Sequence, residues 1–215
     1  MDKENKQCIP EEQLLTPKQE KQVEEFSEKI DLTDYAVVVR YGTACQKKVA
    51  TFSDTALKQA KGTDLSQVAQ RLEQVTENLK EYKTKDEYYG AEMKIDKLLS
   101  QLEVDQKGIT KDLIMYEKLA KANLTYIKEL TMYIKAGKLK LERAGTEESS
   151  SEAGKLFEKR LHDLELTRTI TMQMVPQIKM VQNNTSLMRE KIDTAIRSAI
   201  PLWKNRMAIA LDLEA

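Results

Sequence analysis

Turn punctuation is scarce in this chain. Seven glycines and four prolines stand among 215 residues. Sandwiches, barrels and dinucleotide-binding sheets need such residues at frequent chain reversals, so those fold classes are disfavoured. The glycines are scattered and build no phosphate cradle, which argues against nucleotide hydrolysis. The two cysteines, Cys8 and Cys45, form neither a CxxC pair nor a zinc spacing. They point to a reduced, cytoplasmic protein without a disulfide framework. His162 is the only histidine, so a Ser-His-Asp site would have to use it, and no GxSxG occurs. It lies in FEKRLHDLELTR among charges and reads as a surface or boundary residue. HExxH, paired ExxH and calcium-loop patterns are missing too. Asp96, Glu103 and Asp105, like Glu147, Glu148 and Glu152, read as solvated acidic positions rather than ligands. No metal or other cofactor is expected. Long apolar runs are also lacking. The longest uncharged stretch is Thr169 to Ile178, half the roughly 20 residues a membrane-spanning helix needs. The start, MDKENKQCIPEEQ, has no apolar signal core. Lys plus Arg and Asp plus Glu balance at 35 each, so no basic footprint for nucleic acid exists.

What is present is helix-forming. Hydrophobic residues make up 40% of the chain, charged residues 33% and aromatics 6%. That apolar content is too high for a disordered chain. With so little Gly and Pro it points to long helices. Residues 1–16 read as a disordered tail. Thr16-Pro17 fits a cap and first helical position, followed by a face of Val23, Phe26 and Ile30. Thr33 is expected to cap a second helix running to about Ala60, with Asp34 in its first turn. Helix is preferred to strand at Val37-Val38-Val39 because nothing else in the sequence offers a partner strand. Gly62 stops that helix, Thr63 or Asp64 starts the next, and Leu65, Val68, Leu72, Val75 and Leu79 form its stripe. Residues 17–80 are thus an N-terminal helical subdomain, and the patternless 81–92 are a linker.

From 93 to 215 the expectation is a long-helix hairpin followed by C-terminal helices. Ile95, Leu98, Leu102, Ile109, Leu113, Tyr116, Ala120, Ile127, Leu130, Ile134 and Leu141 recur at three and four, interrupted by polar Gln106 and Asn123. A continuous helix there would be about 70 Å long, so the fold class is all-α: an elongated antiparallel bundle with coiled-coil-like helices, unless Gly108 or Gly137 breaks the rod. Residues 145–154 form the hairpin loop. The next helix, about 155–182, carries Phe157, Leu161, Leu164, Thr167, Thr171, Met174, Ile178 and Val181, with Pro176 inside it. Gln182 to Ser186 are expected to break it. Further helices cover 186–199 and 201–213, the last opening on Pro201 and carrying Trp203 and Met207. Lys135, Lys138, Lys140 and Arg143 read as helix-end cations, with an anion or lipid headgroup as the alternative partner. Met172, Met174, Met180, Met188 and Met207 read as core filling, with an adaptable binding surface as the alternative. Cys45 is expected on a buried helix face.

Three phrases, KELTMYIKAGKLKLE (128–142), RLHDLELTRTITMQMVPQIKMVQNN (160–184) and IPLWKNRMAIAL (200–211), resemble the bacterial toxic anion resistance family of TelA/KlaA tellurite resistance proteins. VRYGTACQKKVATFSDTALKQ (39–59) is similar to that family's early helix. The segment around 81–92 and the loop at 145–154 look shorter than in the family, and the family runs on beyond ALDLEA, so a truncated member is expected. The resemblance implies a non-enzymatic role in resistance to tellurite and to cell-envelope stress. It would be exercised in the cytoplasm or at the membrane periphery through a protein partner, a second copy or the membrane surface. The alternatives are direct oxyanion binding centred on Arg160 and Arg168, or a purely structural coiled-coil oligomer. The polar positions within the matching phrases are the candidate interaction or anion residues: Arg160, His162, Asp163, Thr167, Arg168, Gln182, Asn183 and Asn184. For Arg168, an ion pair with Asp163 or Glu165 is the competing role.

Overall fold

A computed structural model describes residues 15–59, 62–145 and 149–212, with the backbone alone at Leu57 and Gln59. The described chain is all-α and contains no strand. Its helices are α1 (Pro17–Glu28), α2 (Tyr35–Arg40), α3 (Thr43–Gln59), α4 (Leu65–Asn78), α5 (Lys85–Arg143), α6 (Glu152–Thr194), a π-helical turn (Ala195–Ala199) and α7 (Ile200–Ala210). The tail up to residue 14, Cys8 included, lies outside the described residues.

Local chemistry sets the boundaries. Thr16 caps α1 in a capping box with Gln19, and Pro17 opens it. The next cap is Asp34 rather than Thr33. Asp34 Oδ1 accepts from the N–H groups of Ala36 and Val37, while the Thr33 hydroxyl and N–H are taken by Asp31 Oδ1. Those two bonds hold the Asp31 carboxyl below its ordinary pKa. The single helix expected from Thr33 to Ala60 is instead two. Tyr41 leaves helical geometry at ψ 123, and Gly42 takes φ 68, a left-handed value open to glycine at little cost. Asp64 caps α4.

One further expected break is shorter than its predicted span, with 81–84 outside helix, and another is absent. Helix begins at Lys85, inside the segment 81–92 expected as a linker, and buries Tyr88 and Ala91. Gln182 to Ser186 do not interrupt α6, which also continues through Pro176. Polar residues there favour a stop, but Thr185 is buried in the helix and Asn183 and Asn184 point outward. The hairpin loop is shorter than 145–154, since α6 starts at Glu152; residues 146–148 lie outside the described residues.

The helices form two compact units that differ from the division at 81–92. The first takes the described residues up to Ala56 and Ala120–Pro176, so it combines α1, α2 and most of α3 with the later part of α5 and the earlier part of α6. Its core holds Val23, Ile30, Val38, Cys45, Val49, Leu130, Ile134, Phe157, Leu161 and Leu164. Tyr41 stacks edge-on to Tyr133 and Phe157 with centroids 5.5 and 4.9 Å away. The second takes Leu57–Leu119 and the described residues from Gln177 onward. Its core is built from Val68, Val75, Tyr88, Ile95, Leu98, Leu102, Ile109, Ile192, Ile200, Trp203 and Met207. The expected three-four seam of α5 is therefore buried except at Leu113, Ala120 and Leu141, which are half-buried, and the helix passes Gly108 and Gly137 unbroken.

Candidate functional site

Three of the candidate side chains, Arg160, Asp163 and Thr167, sit at three- and four-residue spacing on α6, hence on one helix face. The geometry joins them to α2 and α3 in the first unit. Arg160 Nε donates to the C=O of Tyr41 at 2.8 Å, and its Nη2 donates to Thr43 Oγ1 at 3.2 Å and to Gln46 Oε1. Its Nη1 lies 3.9 Å from the Asp163 carboxylate. Gln46 Nε2 donates to Thr167 Oγ1 at 2.8 Å and to the C=O of Asp163 at 3.3 Å. The Thr167 hydroxyl donates to that same carbonyl at 2.9 Å. This is a closed polar network that fastens the α2–α3 bend to α6.

The network continues inward. Thr171, which is buried, donates its hydroxyl to Thr167 C=O, and Asn123 Nδ2 donates to Thr171 C=O at 3.0 Å. Asn123 is fully enclosed, and its Oδ1 accepts no hydrogen bond. The polar interruption expected on the seam of α5 is thus a core position.

The other candidates lie elsewhere. His162 is exposed, with Nδ1 3.8 Å from Glu165. Arg168 is half-buried on α6. Gln182, Asn183 and Asn184 belong to the second unit, so the structure assigns them no part in the Arg160 network. Gln46 is the residue that sequence reasoning missed. It follows Cys45 on the flank of a buried stripe, and nothing in the apolar spacing distinguishes it from a solvated glutamine.

Three of the four cations in the basic stretch at the end of α5 are engaged within the chain. Lys135 pairs with Glu20 and Lys138 with Glu165, both at 2.6 Å, and Arg143 lies 4.0 Å from Glu28. A groove of about 330 Å³ between α1 and α5 is lined by Glu20, Val23, Glu24, Lys135, Lys138, Leu139 and Glu142. Its carboxylates outnumber its lysines, which disfavours an anion there. Cys45 is enclosed, and burial pushes its thiol up to about 12. It is therefore not a thiolate at neutral pH. Among the described residues no group of three or more His, Cys, Asp or Glu could hold a metal ion, and no helix is long and apolar enough to cross a membrane. Several large apolar side chains face outward, among them Leu166 and Ile170 on α6, at 52% and 61% exposure.

These features define an all-helical protein in which the polar network of Arg160, Gln46 and Thr167 fastens one helix to another. The toxic anion resistance protein (TelA) family model matches residues 23–87, 82–156 and 147–215, and the chain belongs to that family. It is 29% identical to a TelA-like protein of Staphylococcus epidermidis over 245 aligned residues, covering 93% of this chain and 65% of that one. It is 30% identical to an uncharacterised protein of Listeria monocytogenes over 248 residues, covering 93% and 62%. With an uncharacterised protein of Bacillus subtilis the identity is 29% over 231 residues, covering 86% and 60%. The chain therefore spans less than two thirds of the length of these relatives. No solved structure matches it.

Proposed function

We propose that this chain is a non-enzymatic helical interaction module through which a toxic anion resistance protein contributes to tolerance of tellurite and of cell-envelope stress. In this reading it works in the cytoplasm or at the membrane periphery, by helix-face contact with a protein partner or the membrane surface. The carrying observation is how the guanidinium of Arg160 is used. Its donors are directed at Tyr41 C=O, Thr43 and Gln46, so the matching phrase at 160–184 supplies architecture at this position rather than a waiting anion site. Outward apolar side chains such as Leu166 and Ile170 suit contact with a partner, because water is a poor solvent for them.

The test is cellular and uses the full-length family protein. Leu166→Glu and Ile170→Glu are introduced together, and tellurite tolerance is compared with the parent at equal protein level and equal helicity. Lost tolerance is expected. Unchanged tolerance would remove this face from the function. Calorimetry of the chain with millimolar tellurite addresses direct anion binding, and no heat and no melting shift are expected.

A further inference from the structure

The C-terminal helix of the second unit is joined to α6 by a π-helical turn. The backbone passes from α6 through the π-helical turn into α7 without leaving helical dihedrals: φ and ψ are −63 and −43 at Thr194, −66 and −47 at Ala199, and −65 and −50 at Ile200. Yet the Ile200 N–H donates to Ala195 C=O, five residues back rather than four. Such a turn holds one residue more than an α turn over nearly the same rotation. Every residue beyond it therefore sits where its predecessor would sit in an uninterrupted α-helix, a difference of about 100° and 1.5 Å.

That surplus decides which face of α7 packs. Ile200, Trp203 and Met207 are buried. Trp203 Nε1 donates to Lys80 C=O at 2.8 Å, and its ring lies 5.3 Å from Tyr88 and 6.3 Å from Tyr82. Lys204 reaches Glu92 at 3.0 Å and Asp96 at 2.9 Å. Leu202 and Ile209 point outward, at 64% and 83% exposure. In an unbroken α-helix Leu202 would occupy the place of Trp203, and Arg206 would replace Met207, carrying a guanidinium into the core.

Pro201 supplies the reason the surplus is kept. In α geometry the carbonyl of Arg197 would look to residue 201 for its donor. Proline has none, and its ring strikes the carbonyl four residues earlier. We propose that Ala195–Ala199 holds a one-residue insertion locked by Pro201, which sets the rotational position of α7, seats Trp203 and keeps Leu202 and Ile209 outward.

A deletion and its rescue test this in the 215-residue chain, read by thermal melting and by the emission of Trp203, the only tryptophan. Removing the exposed Ser198 takes out the surplus residue and forces α geometry against Pro201. A loss of roughly 6–12 °C in melting temperature is expected. Adding Pro201→Ala to that deletion removes the clash. It is expected to restore the melting temperature and the parent's blue-shifted emission, because Trp203 then sits on the same face. A deletion variant that melts with the parent would show that Pro201 does not demand the extra residue. A double variant that stays destabilised, or emits at longer wavelength, would show that the π turn is not a removable insertion.

Discussion

Replacing Arg160 with alanine removes the fork that joins α6 to the α2–α3 bend. Three acceptors lose their donor at once: Tyr41 C=O, Thr43 Oγ1 and Gln46 Oε1. The Arg160 side chain is only 16% exposed, so water reaches these groups poorly once the guanidinium is gone. A hydrogen bond from a charged donor contributes about 1.5–3 kcal/mol, and the acceptors left behind carry a desolvation cost of similar size. The three bonds share one side chain and do not add, and the Asp163 carboxylate, half-exposed at 3.9 Å, contributes little. The expected loss is therefore about 2–4 kcal/mol, read as a lower midpoint in urea with an unchanged slope. Arg160→Lys keeps the charge but presents no planar fork, so it should recover less than half of that loss. A loss below about 0.5 kcal/mol, or a lysine variant as stable as the parent, would refute the fastening role. Retained stability together with a tellurite-dependent melting shift in the parent alone would move Arg160 into an anion site.

Two other perturbations probe the same unit. Gly42→Ala places a Cβ at φ 68, 2.7 Å from the Leu164 methyl carbons. Backbone strain and overpacking together should cost about 2–4 kcal/mol by chemical denaturation, and a loss under about 1 kcal/mol would contradict the tight bend. In a Cys8→Ser background, Cys45 should resist a thiol reagent at pH 8 until denaturant opens the core. Its folded pKa is raised by burial to about 12 from the ordinary 9.0, and Tyr41 is raised from 10.0 by the same cause. The unfolded chain therefore releases these protons first. Their contribution is fully present below about pH 9 and is lost as pH rises towards 12. Melting measured across that range should show the decline, and Cys45→Ala should flatten its thiol part. Prompt labelling at pH 8 would disprove the burial.

Apolar periodicity in the sequence carried the helices that pack by that periodicity. Most of the α5 row from Ile95 to Ile134 is buried as its spacing requires, because one face of a long helix must leave water wherever a partner covers it. Cys45 followed for the same reason. What stayed hidden were decisions made by single backbone groups and distant side chains. Tyr41-Gly42 looks like an unremarkable step inside a helix until Arg160, 119 residues away, takes the Tyr41 carbonyl. Gln182 to Ser186 looks like a stop, since asparagine, threonine and serine favour caps. Yet Ile192 beyond them is fully buried in the second core, and the helix is carried through to deliver it. Local preference of a few tenths of a kcal/mol per residue yields to the burial of one such side chain, about 1.5–3 kcal/mol. The candidate site shows the same limit. Shared phrases marked eight polar residues without separating them. Three of these, Arg160, Asp163 and Thr167, belong to one network, and Gln46, which completes it, lies in the similar phrase at 39–59 but was not among the eight. Helical spacing decides which residues share a face; a glutamine or a carbonyl reached from another helix is visible only once the chain has folded.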